Sequence, residues 1–333
     1  MQKDNFPHWD KQRHGFYEVW YLKLNLPSDG ALVGPALWLR FTTLSARNGL
    51  KKVAEVWAIF FDPQAGGGSQ KVAIKNTCSL GSYATNSDGS VAIEDSFFGA
   101  DRTSGTTIGR GHRIEWDLKF EPNSYTFFHV PDTLQKLKLT KSVVCKPNVD
   151  IRFTGWFTVN GKRFDVSAAP GCQGHIWGKK YAHDWAWAHC NSFEGGSPAV
   201  LEALSARVKL GGVVTSPQMS ALFFEYKGER HEFNRLSDAF AIRSEYGLTN
   251  WKFSVDRGPL RLLGEISCDV KDLIAVTYED TQGSYLYCNN SELASMSLSV
   301  YYRGKLDATL RSRCTTGFET VARERSPYVE VLL

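Results

Sequence analysis

The stretch that decides the fold is GCQGHIWGKKYAHDWAWAHCNSFEGG, which runs from Gly171 to Gly196. From residue 181 onward, large and small side chains alternate, as they do when a β-strand presents two different faces. One face would carry Tyr181, His183, Trp185, Trp187 and His189, and the other Ala182, Asp184, Ala186, Ala188 and Cys190. Such a strand predicts that the large face lines a wide space and the small face packs closely against a core. We therefore expect the functional site at this strand.

Length and composition favour a folded protein with two domains. A chain of 333 residues is long for one domain and comfortable for two. The hydrophobic content of 42% and charged content of 22% are typical of a folded protein and not of a disordered one. Aromatic residues make up 13%, and this high fraction indicates either thick β-sheet cores or a cavity that holds an apolar ligand.

The charge and the terminal sequence restrict partners and location. A net charge of +4 is too small for this length to indicate a nucleic-acid partner. The chain has no run of about 18 apolar residues, so stable insertion into a membrane is not expected. The first fifteen residues lack the apolar core of a secretion signal, and the seven cysteines include no CxxC pair. These features predict a cytoplasmic protein with reduced thiols.

Most of the chain reads as short antiparallel strands. The segments FYEVWYLKLNL (16–26), ALWLRFTTLS (36–45) and KVAEVWAIFFD (52–62) are rich in β-branched and aromatic residues, with a turn predicted at 27–30 and a Gly-rich loop at 66–69. In GWFTVNGKRFDV, the pair Asn160-Gly161 predicts a tight hairpin that leads into the opening stretch. Only DTLQKLKLTK (132–141) and LSDAFAIRSEYG (236–247) suggest helices. The predicted class is all-β with few short helices.

The order of segments repeats in the two halves. An aromatic strand, an aliphatic strand with an arginine and AIFFD (58–62) are echoed by HDWAWAHCNSF (183–193), LEALSARVKL (201–210) and ALFFE (221–225). This repeat suggests two related domains, which we place at residues 1–178 and 179–333. Similar composition alone would be the other explanation of the echo.

This layout resembles the lipocalin-like two-domain superfamily, which includes carotenoid 1,2-hydratases, AttH-like proteins, tocopherol cyclases and fungal Diels–Alderases. The resemblance rests on the opening strand FYEVWYLKLNL, on the hairpin followed by GCQGHIWG, and on the strand with alternating tryptophans. The hinge departs from the hydratase pattern at residues 175–180, and no motif selects one reaction. The resemblance implies two antiparallel β-barrel or half-barrel domains packed together. It also implies apolar isoprenoid- or polyketide-like ligands bound between or inside them.

The candidate catalytic residues are Glu18, His183 and Asp184. Acid-catalysed hydration or cyclisation of an alkene needs a proton donor in an apolar site and aromatic faces that stabilise a carbocation. On a regular strand Asp184 points away from Trp185 and Trp187, so a bulge would be needed to bring them together, whereas His183 has the matching parity. The candidate ligand-binding residues are Trp20, Tyr21, His175, Trp177, Tyr181, Trp185 and Trp187. Alternatively, the aromatic residues form barrel cores and the acids pair with lysines and arginines.

The sequence predicts neither a metal site nor a cofactor. Two residues separate Cys172 from His175 and five separate His183 from His189, and neither is a known ligand spacing. The leading hypothesis is a cofactor-free hydratase or cyclase that acts on a hydrophobic small molecule. One alternative is a non-catalytic carrier or sensor that uses the same pocket. Another is a carbohydrate-processing β protein, which would need a solvent-open aromatic platform and two carboxylates about 5–10 Å apart. The ligand and the oligomeric state stay open.

Overall fold

The computed structural model describes residues 1–27, 33–63, 70–136, 140–210 and 213–333. It confirms the predicted all-β class, with one nearly closed barrel-like sheet and one half-barrel sheet. The turn predicted at 27–30, apart from Pro27, and the Gly-rich loop at 66–69 lie outside the described residues. The first sheet consists of β1 (Phe16–Asn25), β2 (Ala36–Ser45), β3 (Lys52–Asp62), β4 (Gln70–Ser79), β5 (Tyr83–Thr85), β6 (Val91–Ile93), β7 (Ser96–Phe98), β8 (Arg102–Gly109), β9 (His112–Phe120), β10 (Phe127–Phe128), β11 (Ser142–Val159) and β12 (Lys162–Gly178).

The second sheet follows after a short connection. The remaining strands are β13 (Asp184–Cys190), β14 (Val200–Arg207), β15 (Lys209–Leu210), β16 (Val214–Thr215), β17 (Met219–Tyr226), β18 (Glu229–Phe233), β19 (Ile242–Tyr246), β20 (Asn250–Arg257), β21 (Leu260–Ser267), β22 (Ile274–Glu279), β23 (Tyr285–Tyr302) and β24 (Lys305–Ala322). Of these, β15 and β16 form a separate two-stranded sheet.

The helices are few and short. They are α1 (Asp132–Lys136) and 3₁₀ turns at Lys3–Asn5, Leu80–Ser82, Glu194–Gly196, Leu236–Phe240 and Val270–Asp272. Both predicted helical segments contain one of these elements, although residues 137–139 of the first segment lie outside the described residues. No helix in the described part of the chain has both the length and the hydropathy of a membrane span.

The two sheets have the same strand topology. The first runs β4-β3-β2-β1-β12-β11-β9-β8, and the second runs β18-β17-β14-β13-β24-β23-β21-β20. AIFFD lies in β3 and ALFFE in β17, so the two echoed segments occupy equivalent third strands. In both sheets the first strand pairs with the last, which places Trp20 opposite His175 and Trp187 opposite Glu319.

The predicted hairpin is present between the two longest strands of the first sheet. Asn160 and Gly161 both have positive φ, 52° and 83°, as a tight type I′ turn requires. At the other edge of this sheet, the side chain of Asn76 in β4 accepts a hydrogen bond from the N–H of Ile108 in β8 at 3.0 Å and donates to its carbonyl at 2.8 Å. These bonds bring β4 against β8 and almost close the barrel.

Each sheet has its own core, and a third core lies between the sheets. Trp20 and Leu22 of β1 belong to the first core, whereas Tyr17 and Tyr21 of the same strand belong to the third. Every residue of β1 and β2 is therefore buried, because one face packs inside the barrel and the other faces the second sheet. The alternation predicted for β13 is also found. Its side chains divide into Trp185 and Trp187 in the core between the sheets and Ala186, Ala188 and Cys190 in the core of the second sheet.

Candidate functional site between the two sheets

The facing sides of the two sheets enclose a cavity of about 560 Å³. Tyr21 and Trp38 from the first sheet, and Trp185 and Trp187 from the second, supply its large aromatic surfaces. Aliphatic side chains fill the wall between them, among them Val19, Val144, Ile176, Leu204 and Ala206. This volume lies within the range of small-molecule pockets in proteins, which are also lined mainly by apolar side chains.

The polar end of this cavity is built around Glu319 of β24. One carboxylate oxygen accepts a hydrogen bond from Trp185 Nε1 at 2.6 Å, and the other accepts one from the Tyr278 hydroxyl at 3.0 Å. The rings of Tyr181, Trp185 and Tyr278 stack with centroids 6.0–6.3 Å apart. The carboxylate is thus held beside an aromatic wall that comes from β13, β22 and the connection before β13.

Arg40 of β2 lies beside the same aromatic wall. Its Nε donates to Thr42 Oγ1 at 2.8 Å, and its Nη2 donates to the Tyr181 hydroxyl at 3.0 Å. The guanidinium carbon is 4.1 Å from the centroid of the Tyr278 ring. Burial by itself lowers the pKa of Arg40, but the surrounding tyrosines and carboxylates, with Tyr181 the largest contributor, raise it by more. Burial also raises the pKa of Tyr278 and Tyr181, and Arg40 partly offsets both shifts.

A second polar cluster surrounds Glu202, which binds the indole N–H of Trp187. Glu202 of β14 accepts a hydrogen bond from Trp187 Nε1 at 2.7 Å, lies 2.8 Å from His129 Nε2 and pairs with Lys146 Nζ at 3.3 Å. The Lys146 ammonium lies 4.5 Å from the ring centroids of both Tyr21 and Trp187. Burial alone would lower the pKa of Lys146, but Cys172 and Glu202 raise it overall. This buried network fixes the orientation of two aromatic side chains of the cavity.

The candidate residues from the sequence divide into two groups. Five of them line the cavity: Tyr21, Tyr181, His183, Trp185 and Trp187. The other five are not among the lining residues: Glu18, Trp20, His175, Trp177 and Asp184. The division follows strand parity in β1, since Glu18 and Trp20 share the face that is turned into the barrel.

Glu18 organises the N-terminal segment. Its carboxylate accepts hydrogen bonds from the backbone N–H of His8 at 2.7 Å and of Trp9 at 3.1 Å, and lies 3.0 Å from His175 Nε2. The His8 ring stacks on Trp177 with centroids 3.9 Å apart. Burial and the neighbouring His175 lower the pKa of His8 to about 4. This cluster attaches the N-terminal segment to β1 and β12.

Asp184 is the first residue of β13, and His183 directly precedes it. Asp184 accepts hydrogen bonds from Arg207 Nε at 2.8 Å and from the Tyr246 hydroxyl at 2.6 Å, so its carboxylate is already bound on the face opposite the tryptophans. His183 Nε2 is 3.9 Å from Asp184 Oδ2, and its ring is partly exposed. Burial lowers the pKa of His183, which favours the neutral imidazole.

Three residues of the polar end, Glu319, Tyr278 and Arg40, are absent from the candidates that the sequence suggested. Nothing local marks the first two, because their positions depend on which distant strands pair. Arg40 does carry a local signal, since it is a lone charge within the otherwise uncharged strand ALWLRFTTLS. Within the described ranges, no group of three or more His, Cys, Asp or Glu side chains is arranged to hold a metal ion.

Comparisons with known proteins agree with this fold. A family model described as tocopherol cyclase-like matches residues 108–321, which is more than half of the chain. The chain belongs to the tocopherol cyclase-like family. An uncharacterised protein of Mycobacterium tuberculosis is 22% identical over 296 residues, covering 88% of this chain and 84% of the other. The superfamily that the sequence resembles is therefore confirmed.

Two solved structures share this fold. An AttH-like protein of Nitrosomonas europaea has a TM-score of 0.57 at 15% identity, over 99% of this chain and 96% of that one. Kievitone hydratase of Nectria haematococca has a TM-score of 0.51 at 8% identity, over 92% of this chain and 88% of that one. At these identities the similarity shows the fold alone.

Proposed function

We propose that the cavity binds an apolar isoprenoid- or polyketide-like molecule and catalyses its cofactor-free hydration or cyclisation. The observation that carries the proposal is Glu319, a carboxylate held by Trp185 and Tyr278 on the wall of a cavity lined mainly by aromatic and aliphatic side chains. The family description and the name of the hydratase with the same fold support this reaction class.

Hydration and cyclisation need the same two proton transfers. In its acid form, Glu319 gives a proton to one alkene carbon, and the adjacent carbon becomes cationic. The faces of Tyr181, Trp185 and Tyr278 stabilise that cation through their ring quadrupoles. The attacking oxygen, from water in hydration or from a hydroxyl of the substrate in cyclisation, forms the new C–O bond and loses its proton to the Glu319 carboxylate. The cycle therefore consumes no net proton and needs no cofactor.

The other candidate residues take supporting roles in this proposal. His183 lies on the cavity wall and can exchange protons with solvent as a neutral imidazole. Glu18 does not line the cavity, and we assign it the attachment of the N-terminal segment. Asp184 does not line the cavity, and we assign it the binding of Arg207 and Tyr246.

Isotope labelling tests the proposal even while the substrate is unidentified. An organic extract of the source cells is incubated with the protein in D₂O and examined by mass spectrometry. Protonation of an alkene carbon places one non-exchangeable deuterium in each product molecule. We expect Glu319→Gln to abolish this labelled product while still retaining bound ligand after purification. The matched control is Glu292→Gln, which changes a fully buried carboxylate outside the cavity and is expected to retain labelling.

Two outcomes would contradict the catalytic role. If Glu319→Gln forms the labelled product at the wild-type rate, the proton is supplied by another group. If the wild-type protein forms no labelled product but releases an unchanged hydrophobic molecule in equimolar amount on denaturation, it is a carrier or sensor.

A further inference from the structure

Arg40 is a buried cation without a carboxylate partner. Its exposed fraction is only 4%, and its two side-chain hydrogen bonds go to the neutral oxygens of Thr42 and Tyr181. Among the described residues, no carboxylate oxygen approaches it within the 4.0 Å of an ion pair. The guanidinium carbon of Arg40 also lies 5.0 Å from the Trp57 ring centroid and 4.1 Å from the Tyr278 ring centroid. The negative faces of these rings attract the cation. Because a buried charge without a counter-ion in direct contact is costly, this arrangement favours an anion that arrives with the ligand.

The remaining charged side chains of the cavity are basic, with the exception of Glu319. Besides Arg40, the basic residues on its wall are Lys141, Lys180, Lys209, Arg235 and Arg323. Among the lining residues that the structure describes, Glu319 is the sole acidic one. A cleft lined by charges of one sign concentrates ligands of the opposite sign. The cavity therefore attracts an anionic amphiphile more strongly than a neutral one.

Arg40 also borders a polar chamber of about 230 Å³, whose wall shares Tyr17, Arg40, Tyr181 and Tyr278 with the cavity. The chamber contains two further lysines. Lys51 pairs with Glu279, whereas Lys75 Nζ lies 4.6 Å from the Trp57 ring centroid and forms no ion pair within the described ranges. Glu55 accepts hydrogen bonds from Trp57 Nε1 and the Thr77 hydroxyl.

The positive charge at this end is therefore not fully compensated within the chamber. Its wall carries three basic and two acidic side chains, and one of each is already paired. For Arg40 and Lys75, the described lining of the chamber leaves Glu55 as the carboxylate that is not in an ion pair. One monoanion bound beside Arg40 would balance the charges that line the chamber.

We propose that the molecule bound in the cavity carries an anionic oxygen, with a carboxylate as the simplest case, that Arg40 binds while the apolar body lies against Trp185 and Trp187. This inference rests on the proposed function, because it takes the cavity as the ligand site. The planar guanidinium has five N–H donors, and Thr42 and Tyr181 use two of them. The others can form charge-assisted hydrogen bonds with an oxyanion.

Two probes that differ only in their head group test the inference. Farnesoic acid and farnesol share one isoprenoid chain, and at pH 8 only the acid is anionic. We expect isothermal titration calorimetry to give a Kd for the acid about 10- to 100-fold lower than that for the alcohol, as expected for a hydrogen bond between charged groups. In Arg40→Met the acid preference should disappear while the Kd for farnesol stays within about twofold of wild type.

Arg323→Met is the matched control. Arg323 also lines the cavity, but its Nη1 is already 3.6 Å from the buried carboxylate of Asp280. This variant should therefore keep the preference for the acid. If Arg40→Met does not fold, as judged by circular dichroism, Arg40→Lys replaces it. Arg40→Lys keeps the charge without the guanidinium fork, so it should lower the preference several-fold.

The outcomes separate this inference from the proposed function. Equal affinity of the wild type for acid and alcohol overturns the anionic head group but leaves a ligand-binding cavity. An acid preference that is unchanged in Arg40→Met, or in Arg40→Lys where that variant is used, overturns the role of Arg40. Failure of both probes to bind at 100 μM, about the weakest affinity that the calorimetry detects, contradicts the cavity as a site for isoprenoid ligands, and it overturns this inference and the isoprenoid form of the proposed function.

Discussion

Replacing Glu202 with glutamine is expected to lower the free energy of unfolding by about 3–5 kcal/mol, although the two side chains have nearly the same shape. Glu202 is fully buried and faces the equally buried Lys146 at 3.3 Å. The substitution creates no cavity, so the loss is electrostatic. It leaves the Lys146 ammonium buried without its counter-charge, and removing one partner of a buried pair costs that amount.

The aromatic contacts that Lys146 keeps in the variant determine where in this range the loss of unfolding free energy is expected. Lys146 keeps its positions 4.5 Å from the ring centroids of Tyr21 and Trp187, and such contacts contribute about 0.5–2 kcal/mol each. The lower end, about 3 kcal/mol, is therefore expected for Glu202→Gln. In the double variant Glu202→Gln/Lys146→Met both charges are absent, and a buried pair can often be replaced by neutral groups at little cost. The double variant should thus be more stable than the sum of the two single losses implies.

Urea unfolding followed by both tryptophan fluorescence and far-ultraviolet circular dichroism measures these differences. Two domains can unfold separately, so the midpoints are converted to free energies only where the two signals coincide. A Glu202→Gln protein within 1 kcal/mol of wild type, together with strictly additive losses in the double variant, would refute the reasoning. The cluster would then be a polar contact of little energetic consequence.

Two further predictions concern the pH dependence of stability. Burial raises the pKa of Glu292 to about 7, above its value in the unfolded chain. The stability that Glu292 contributes is therefore fully present below pH 4.5 and is lost as the pH rises towards 7. In urea titrations, we expect Glu292→Gln to remove up to about 3 kcal/mol of this pH-dependent decline in the free energy of unfolding. If the free energy of unfolding falls equally with pH in both proteins, Glu292 is not its cause. The depressed pKa of His8 has the opposite consequence, because the stability it contributes is present above pH 6.5 and is lost as the pH falls through about 4. His8→Phe keeps a ring on Trp177, so it should resist acid better, and equal acid lability in unfolding measurements would count against a neutral imidazole at this position.

The features that the sequence predicted correctly are those with local causes. The period-two alternation around Trp185 and Trp187 follows from strand geometry, and the Asn160-Gly161 hairpin follows from the positive φ angles of its turn. The repeated AIFFD and ALFFE segments lie in equivalent strands for the same reason, since each half folds with the same local pattern.

The grouping of Glu18 and Trp20 with Tyr21 shows where local reasoning ends. Parity within β1 separates the first two residues from the third, and the structure places them on opposite faces. Parity alone does not say which face meets the ligand cavity, because both faces of β1 are buried. That choice is made by the second sheet, which packs against the Tyr21 face.

The polar end of the cavity depends on long-range pairing, which no local pattern reveals. Trp185 and Glu319 are 134 residues apart in sequence and meet because the first strand of the second sheet pairs with its last. The repeat contains this information indirectly, since β1 pairs with β12 in the first sheet and an equivalent pairing places β24 beside β13. Applied to the Trp-rich strand, that equivalence would have directed attention to the C-terminal strand and to Glu319. Arg40 could be identified without knowledge of the strand pairing, because a charge within an apolar strand of a buried sheet already requires either a partner or a function.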